Sequence, residues 1–349
     1  MATAFVSITE HQTEALPAPV VSEPTPMKAS PGKPTAQPNP LAGKLAGWGK
    51  DLLAPLAGIV TFLALWAMLA PTVQTSLGAL PGPLDVAGQG LALFEEWQAA
   101  SAQEAQFYAD QEARNAAALA AGNAAGVTSF KYSGPPTFLD QILTSLKTVA
   151  LGFVLASLVA VPIGLLCGLS KWVNAAINPL VQIMKPVSPL AWLPIVTMVI
   201  SAMVDSNDPL LAKSFLVSAL VVMLCSLWPT LINTAVGTAS IDKDLLNVSR
   251  VLKLSWFAKL TKLVLPSSLP YIFTGMRLSL GVGWMVLIAA EMLSQNPGLG
   301  KFVWDEFQNG SSQSLARIMF AVLVIGFIGF GLDRVMMTLQ SAVSRNRVA

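Results

Sequence analysis

Histidine and cysteine are almost missing from this chain. His11 is the single histidine among 349 residues, and Cys167 and Cys225 are the two cysteines. One histidine in a polar tail argues against histidine-dependent metal or acid–base chemistry. The cysteines sit inside apolar runs, so they give no disulfide framework and no metal-ligand spacing and read as packing residues. Charge is scarce too: 11% of residues are charged against 54% hydrophobic. That balance excludes a soluble domain of this size and describes a polytopic, all-α membrane protein. A GxxxxGK[ST] phosphate loop is also missing from the sequence, so the chain shows no ATPase of its own.

What is present divides along the chain. Residues 1–51 include PAPVVSEPTPMKASPGKPTAQPNP, whose prolines and serines predict a disordered tail. The first apolar run, LAPLAGIVTFLALWAMLA, comes too late for a cleaved signal peptide and lacks a small-residue cleavage site. A spanning helix needs about 20 mostly apolar residues. Six stretches qualify, near 52–70, 139–168, 177–203, 212–237, 270–293 and 315–340. The basic residues Lys28, Lys33, Lys44, Lys50, Lys171, Lys243, Arg250, Lys253, Lys259, Lys262, Arg345 and Arg347 then share one side with both termini. The loop 71–137 on the other side carries Asp85, Glu95, Glu96, Glu104, Asp110 and Glu112 against Arg114 and Lys131. By the positive-inside rule both termini are expected in the cytoplasm. The Ala-, Glu- and Gln-rich part of that loop predicts an exposed helix or helical hairpin, serving as a spacer or as a docking surface.

Between the fourth and fifth spans runs NVSRVLKLSWFAKLTKLVLPSSLP. Leu245, Val248, Leu252 and Trp256 recur at helical spacing beside Arg250, Lys253, Lys259 and Lys262, which predicts a short amphipathic helix. Pro266 and Pro270 are expected to stop it before the fifth span. Such a helix can lie on anionic lipid or dock on a partner, and spacing alone does not choose.

This stretch resembles the cytoplasmic-loop motif of ABC importer permeases, E-A-A, three residues, Gly, nine residues, I-x-L-P. Asn247, Val248 and Ser249 take the E-A-A positions, Lys253 the glycine, Leu263 the isoleucine, and Leu265 and Pro266 the closing pair, while Arg250 and Ser255 stand as that branch would show them. KPVSPLAWLPIV, LPYIFTGMRLSLGVGW, AAEML and FVWDEF resemble the nitrate, nitrite, cyanate and bicarbonate branch over about 137–345. The resemblance implies a type I ABC importer permease fold, with a permease core over 138–345 and a coupling loop at 238–268. It implies a coupling helix that docks on a cytoplasmic ATPase, with ATP and magnesium bound there and no cofactor on this chain. It further implies a periplasmic or lipid-anchored binding protein, a second permease copy, and alternating access for a small anion in the bacterial inner membrane. Nitrate or nitrite is the first expectation, cyanate or bicarbonate the next, an organosulfonate a more distant one. Without a glycine at Lys253 the coupling helix is expected to be more continuous.

Ionisable groups inside a membrane are functional candidates by default. Arg277, Gly281, Trp284, Ile288 and Glu291 follow at spacings of four and three, so they share a face, with the two charges roughly 21 Å apart. That face is the expected wall of an anion pathway, although Arg277 could instead snorkel to headgroups and Glu291 could be a gate residue or a solvated helix terminus. Gly275, Ser279 and Gly283 form a small-residue packing face. Pro186, Pro189 and Pro194 predict an irregular third span around Lys185–Trp192, which adds Lys185 and Ser188 as pathway candidates. Glu291 is taken as the acid of the late spans. An ion-coupled secondary transporter, which uses mid-membrane carboxylates and internal repeats, and a scaffolding membrane protein are the competing classes.

Overall fold

In the computed structural model the structure describes residues 40–75, 78–123, 126–204, 212–311 and 313–345. Residues 1–39 of the disordered tail expected over 1–51, with His11, Lys28 and Lys33, lie outside them, as does Arg347, while 40–51 are helical. The chain divides into two units at Ile59/Val60. Helix α1 (Pro40–Leu69) starts earlier than the expected residue 52 and supplies the described part of the first unit.

In the second unit the spanning helices are α3 (Phe138–Leu169), α6 (Lys213–Ala239), α9 (Leu265–Ser294) and α11 (Ser314–Arg345). Helix α6 packs closely on both α3 and α9, which also touch each other. Lipid tails are as apolar as leucine, so what draws helices together is close packing and hydrogen bonding rather than water exclusion. Small residues permit it. A Cβ on Gly164 of α3 would come 2.7 Å from the Leu231 carbonyl oxygen of α6, and one on Gly275 of α9 would come 2.9 Å from the Thr230 Cα. Gly283 of α9 likewise abuts Val222 and Ser226. Pro229 within α6 gives no amide hydrogen, and the neighbouring Thr230 amide donates to Ser279 Oγ at 3.0 Å. Gly275, Ser279 and Gly283 thus face α6 together.

The third span breaks at the start of the stretch where its prolines predict irregularity, and differs from the expected 177–203 in starting at Lys171. It is two helices, α4 (Lys171–Met184) and α5 (Pro189–Met203), bent by 103° at the break. Pro186 has no amide to carry the ladder on, although Lys185 before it keeps helical angles at φ −55° and ψ −43°. Ser188 then N-caps α5, its Oγ accepting from the Leu190 amide at 3.3 Å. Among the described residues five helices are long and apolar enough to cross a membrane, and a sixth crossing exists only if the bent pair is one span.

The fifth span differs as well. Pro266 and Pro270 stop nothing: α8 (Trp256–Lys259), a π-helical turn (Leu260–Val264) and α9 run on as one apolar helical segment, Trp256–Ser294. The wider turn directly before Pro266 relieves the clash a prolyl ring makes with the carbonyl one turn back. At 39 residues it is about 58 Å long, against about 30 Å of hydrocarbon, so part of it stands clear of the lipid core.

The loop before α3 holds helix α2 (Pro83–Ala120), whose Asp85 reaches back to accept from the Gly82 amide at 2.9 Å. An extended return segment lies back along it. Asn115 Oδ1, Gln111 Oε1 and the Tyr108 hydroxyl oxygen accept the amides of Thr128, Phe130 and Tyr132 at 3.0, 2.7 and 3.2 Å. Helical spacing on one side meets strand spacing on the other. Arg317 of α11 fastens this unit to the core: it bonds Gln89 at 3.3 Å, pairs with Glu96, and reaches Glu306 of α10 (Leu299–Asn309) at 3.2 Å. Helix α9 separates α7 (Lys243–Val251) from α10, and Arg317 ties α2 to α10, so α2 and α10 lie at one end of the bundle and α7 at the other.

Candidate functional site

Helix α7 opens on Asp242, whose carboxylate accepts from the Asp244 amide at 2.9 Å. It closes with the Lys253 amide donating to the Arg250 carbonyl at 3.0 Å and the Leu254 amide to the Ser249 carbonyl at 3.1 Å. Those two bonds make a Schellman motif. Its C′ residue must be left-handed, and Lys253 has φ of +46° there. The expected continuous helix is therefore wrong. The break survives without glycine because Leu252, as C-cap, and Ser255 flank it. Ser255 caps the next helix, accepting from the Ala258 amide at 3.2 Å.

The inner side of α7 rests on a small apolar cluster. Ser249 is buried with its hydroxyl on the Leu246 carbonyl, and Leu246, Leu263 and Leu265 pack on Val264 and Ile272. Pro266 follows Leu265 at the start of α9. Asn247 accepts from Arg250 at 3.3 Å on the polar side. The outer side carries Leu245, Val248, Val251 and Leu252, the last two 81% and 64% exposed, with Trp256 and Phe257 beyond. The short helix is a knob, apolar at its tip and held from behind.

Within the bundle, the face expected to line a pathway splits in two. Arg277, Gly281 and Trp284 of α9 border a cavity of about 230 Å³ closed by Leu280 and by Gly329, Leu332 and Asp333. Arg277 bonds Asp333 bidentately, Nε to Oδ1 at 2.5 Å and Nη2 to Oδ2 at 3.0 Å. Its guanidinium turns to a carboxylate on α11 rather than along α9 towards headgroups. Trp284 donates from Nε1 to the Ile325 carbonyl at 3.0 Å. Gly329 sits beneath the indole, where a Cβ would lie 3.0 Å from Trp284 Cδ1.

Glu291 does not belong to that wall. It is 0% exposed and accepts from Ser145 of α3, from the Gly300 amide at 3.0 Å and from Asn296 at 3.4 Å. Lys185 and Ser188 are exposed at the α4–α5 break and do not border the cavity. Asp333 escaped the sequence reading, although it stands inside the sixth apolar run as GLDRV; taking Glu291 as the acid of the late spans was mistaken. The usable signal was an Asp in one span and an Arg in another.

A family described as "Binding-protein-dependent transport system inner membrane component" matches residues 160–346. The chain belongs to that family. It is 37% identical over 204 residues to the nitrate import permease protein NrtB of Synechococcus elongatus, covering 58% of this chain and 69% of that one. It is 33% identical over 296 residues to the bicarbonate transport system permease protein CmpB of the same species, covering 84% of this chain and 90% of that one. Among solved structures, an inward-facing MetNI methionine ABC transporter matches at a TM-score of 0.47 and 14% identity, over 59% of this chain and 95% of that one. This is a multi-pass inner-membrane permease of a binding-protein-dependent system, which leaves no place for the secondary-transporter or scaffold readings.

Proposed function

We propose that this permease is the membrane-spanning subunit of an ATP-driven importer for a small planar oxyanion, nitrate or nitrite first and bicarbonate second. Two copies of the chain, or one with a related partner, surround the route. The α7 knob seats in a groove on a cytoplasmic ATPase, which carries the ATP and magnesium. A binding protein delivers the anion at the α2–α10 end, and both termini lie in the cytoplasm. The observation that carries the coupling role is the apolar tip of α7, presented outward on a helix fixed by caps at both ends. A capped helix transmits displacement as a rigid body, which a loop does not. The anion class rests on relatives named for nitrate and bicarbonate, ions that share a planar trigonal shape.

Reconstitution with its ATPase and binding protein tests this. Uptake of labelled nitrate or bicarbonate is expected to require ATP. Uptake driven by an ion gradient without ATP would refute the reading, and an affinity measurement on the binding protein selects between the two anions.

A further inference from the structure

Two carboxylates in the membrane-spanning region are held in opposite ways. Glu291 is sealed, with Ser145, Asn296 and the Gly300 amide donating to it. Asp333 and Arg277 bond each other at the edge of an open cavity, with side chains 37% and 39% exposed. Burying a carboxylate beneath several donors fixes it, whereas one ion-pair partner beside open space leaves it free to exchange.

We propose that Asp333 is an exchangeable latch on Arg277, a carboxylate that a planar oxyanion displaces from the guanidinium as it crosses the α9–α11 cavity. The identity of the anion rests on the import reading above. The fork of Arg277 offers two parallel N–H donors to two coplanar oxygens, the arrangement that suits carboxylates. Nitrate and bicarbonate present the same pair of coplanar oxygens, so Asp333 occupies the site in the shape of the cargo. A tetrahedral oxyanion can bridge the same fork, whereas a halide offers one atom to its two donors.

The surroundings agree with exchange. The cavity holds about 230 Å³, ample for a small anion when one water takes only about 30 Å³ of the liquid. A Cβ on Gly281 would meet nothing within 4 Å, so the wall one turn from Arg277 is left open. An unpaired arginine in the membrane is costly, and Asp333 keeps the empty site neutral. Displacing a paired carboxylate also keeps cargo affinity low, since only the unlatched fraction binds. A site on a transport route has to release what it binds.

The test uses the assembled permease–ATPase complex in nanodiscs, without binding protein or ATP, and equilibrium binding of labelled nitrate, bicarbonate and chloride. Asp333→Asn should raise nitrate and bicarbonate affinity by about tenfold or more, with a smaller gain for chloride, which cannot give each donor its own oxygen. Asp333→Glu should stay weak, and adding Arg277→Gln to Asp333→Asn should abolish the gain. No gain in Asp333→Asn, a gain that survives Arg277→Gln, or an equal gain for chloride overturns the latch. Should the Asn variant fail to assemble, the wild-type complex decides: isotope-edited difference infrared spectra with labelled aspartate should show a carboxylate stretch shifting as nitrate is added. An unshifted stretch at saturating nitrate overturns it equally. The cargo assignment fails separately. If the wild-type importer moves neither nitrate nor bicarbonate while Asp333→Asn gains Arg277-dependent nitrate binding, the latch stands and the cargo falls. Nitrate uptake with no gain in the variant sinks the latch alone.

Discussion

The Ser145 hydroxyl lies 2.8 and 3.0 Å from the two carboxylate oxygens of Glu291, 146 residues away, while it accepts the Leu299 amide at 2.8 Å. One small side chain on α3 therefore joins α9 to the start of α10. Both residues are 0% exposed, so each lost partner leaves a buried polar group unsatisfied.

Glu291→Ala strands the Ser145 hydroxyl and the Gly300 amide, and should destabilise the permease by about 3 kcal/mol. Ser145→Ala should cost less. The double variant should fall short of the sum, because both act on one network. Thermal inactivation of the purified complex reads all three. Full additivity would mean that the two residues do not share the lock.

The tip of α7 predicts uncoupling. Val251→Asp or Leu252→Asp places a charge where an apolar groove would receive it, without touching the inner cluster behind Ser249. Membrane insertion should be normal and solute-stimulated ATP hydrolysis should drop close to the unstimulated rate, since an unpaired charge buried at an interface is strongly unfavourable. Wild-type stimulation in both variants would instead favour a helix lying on anionic lipid. Ser255 serves differently from a mid-helix residue: as an N-cap, its change to alanine should cost about 1 kcal/mol and loosen the turn while leaving the tip chemistry unchanged.

Lys253 carries a left-handed backbone at φ +46°, which disfavours a side chain by roughly 1–2 kcal/mol. Lys253→Gly should therefore keep coupling intact and stabilise the turn, by less than that amount because glycine also gains freedom in the unfolded chain. Lys253→Val should disrupt it. Hydrogen exchange of the Leu254 amide, bonded to the Ser249 carbonyl, checks the order: Gly slowest, Lys intermediate, Val fastest.

Much of this was legible in the sequence, and the failures have physical causes. Spans are written in apolar runs, and the packing face of Gly275, Ser279 and Gly283 in a spacing of four. Prolines were read half right, the irregular third span correctly and the stop before the fifth not, because their effect depends on their neighbours. Pro186 breaks a span where Ser188 and Pro189 stand ready to start a new helix, while Pro266 is absorbed by a π turn. The latch was hidden for another reason. Arg277 and Asp333 are 56 residues apart, and the register that sets α9 against α11 is decided by packing, to which helical periodicity within one span is blind. Periodicity also grouped Glu291 with Arg277 on one face, although the sides of that face are shared among α3, α10 and α11.

Gly281 offers a test of the cavity that leaves the ion pair untouched. It lines the same space as Arg277 and Trp284, and a Cβ built there meets no atom within 4 Å. A larger side chain should therefore fold without clash, and leaving glycine in a helix interior should add up to about 1 kcal/mol of helix propensity. Gly281→Leu should fill the space in front of the Arg277 fork. If cargo passes there, uptake should fall by about tenfold or more, equivalent to ~1.4 kcal/mol on the limiting barrier, at undiminished thermal stability. Gly281→Ala, which adds only a methyl, should keep most of the uptake and share the gain in stability. The pairing of higher stability with lost transport separates a blocked route from a damaged fold. Labelled-anion uptake in proteoliposomes at equal complex content reads the first, and thermal inactivation the second. Normal uptake in Gly281→Leu would place the route elsewhere in the bundle.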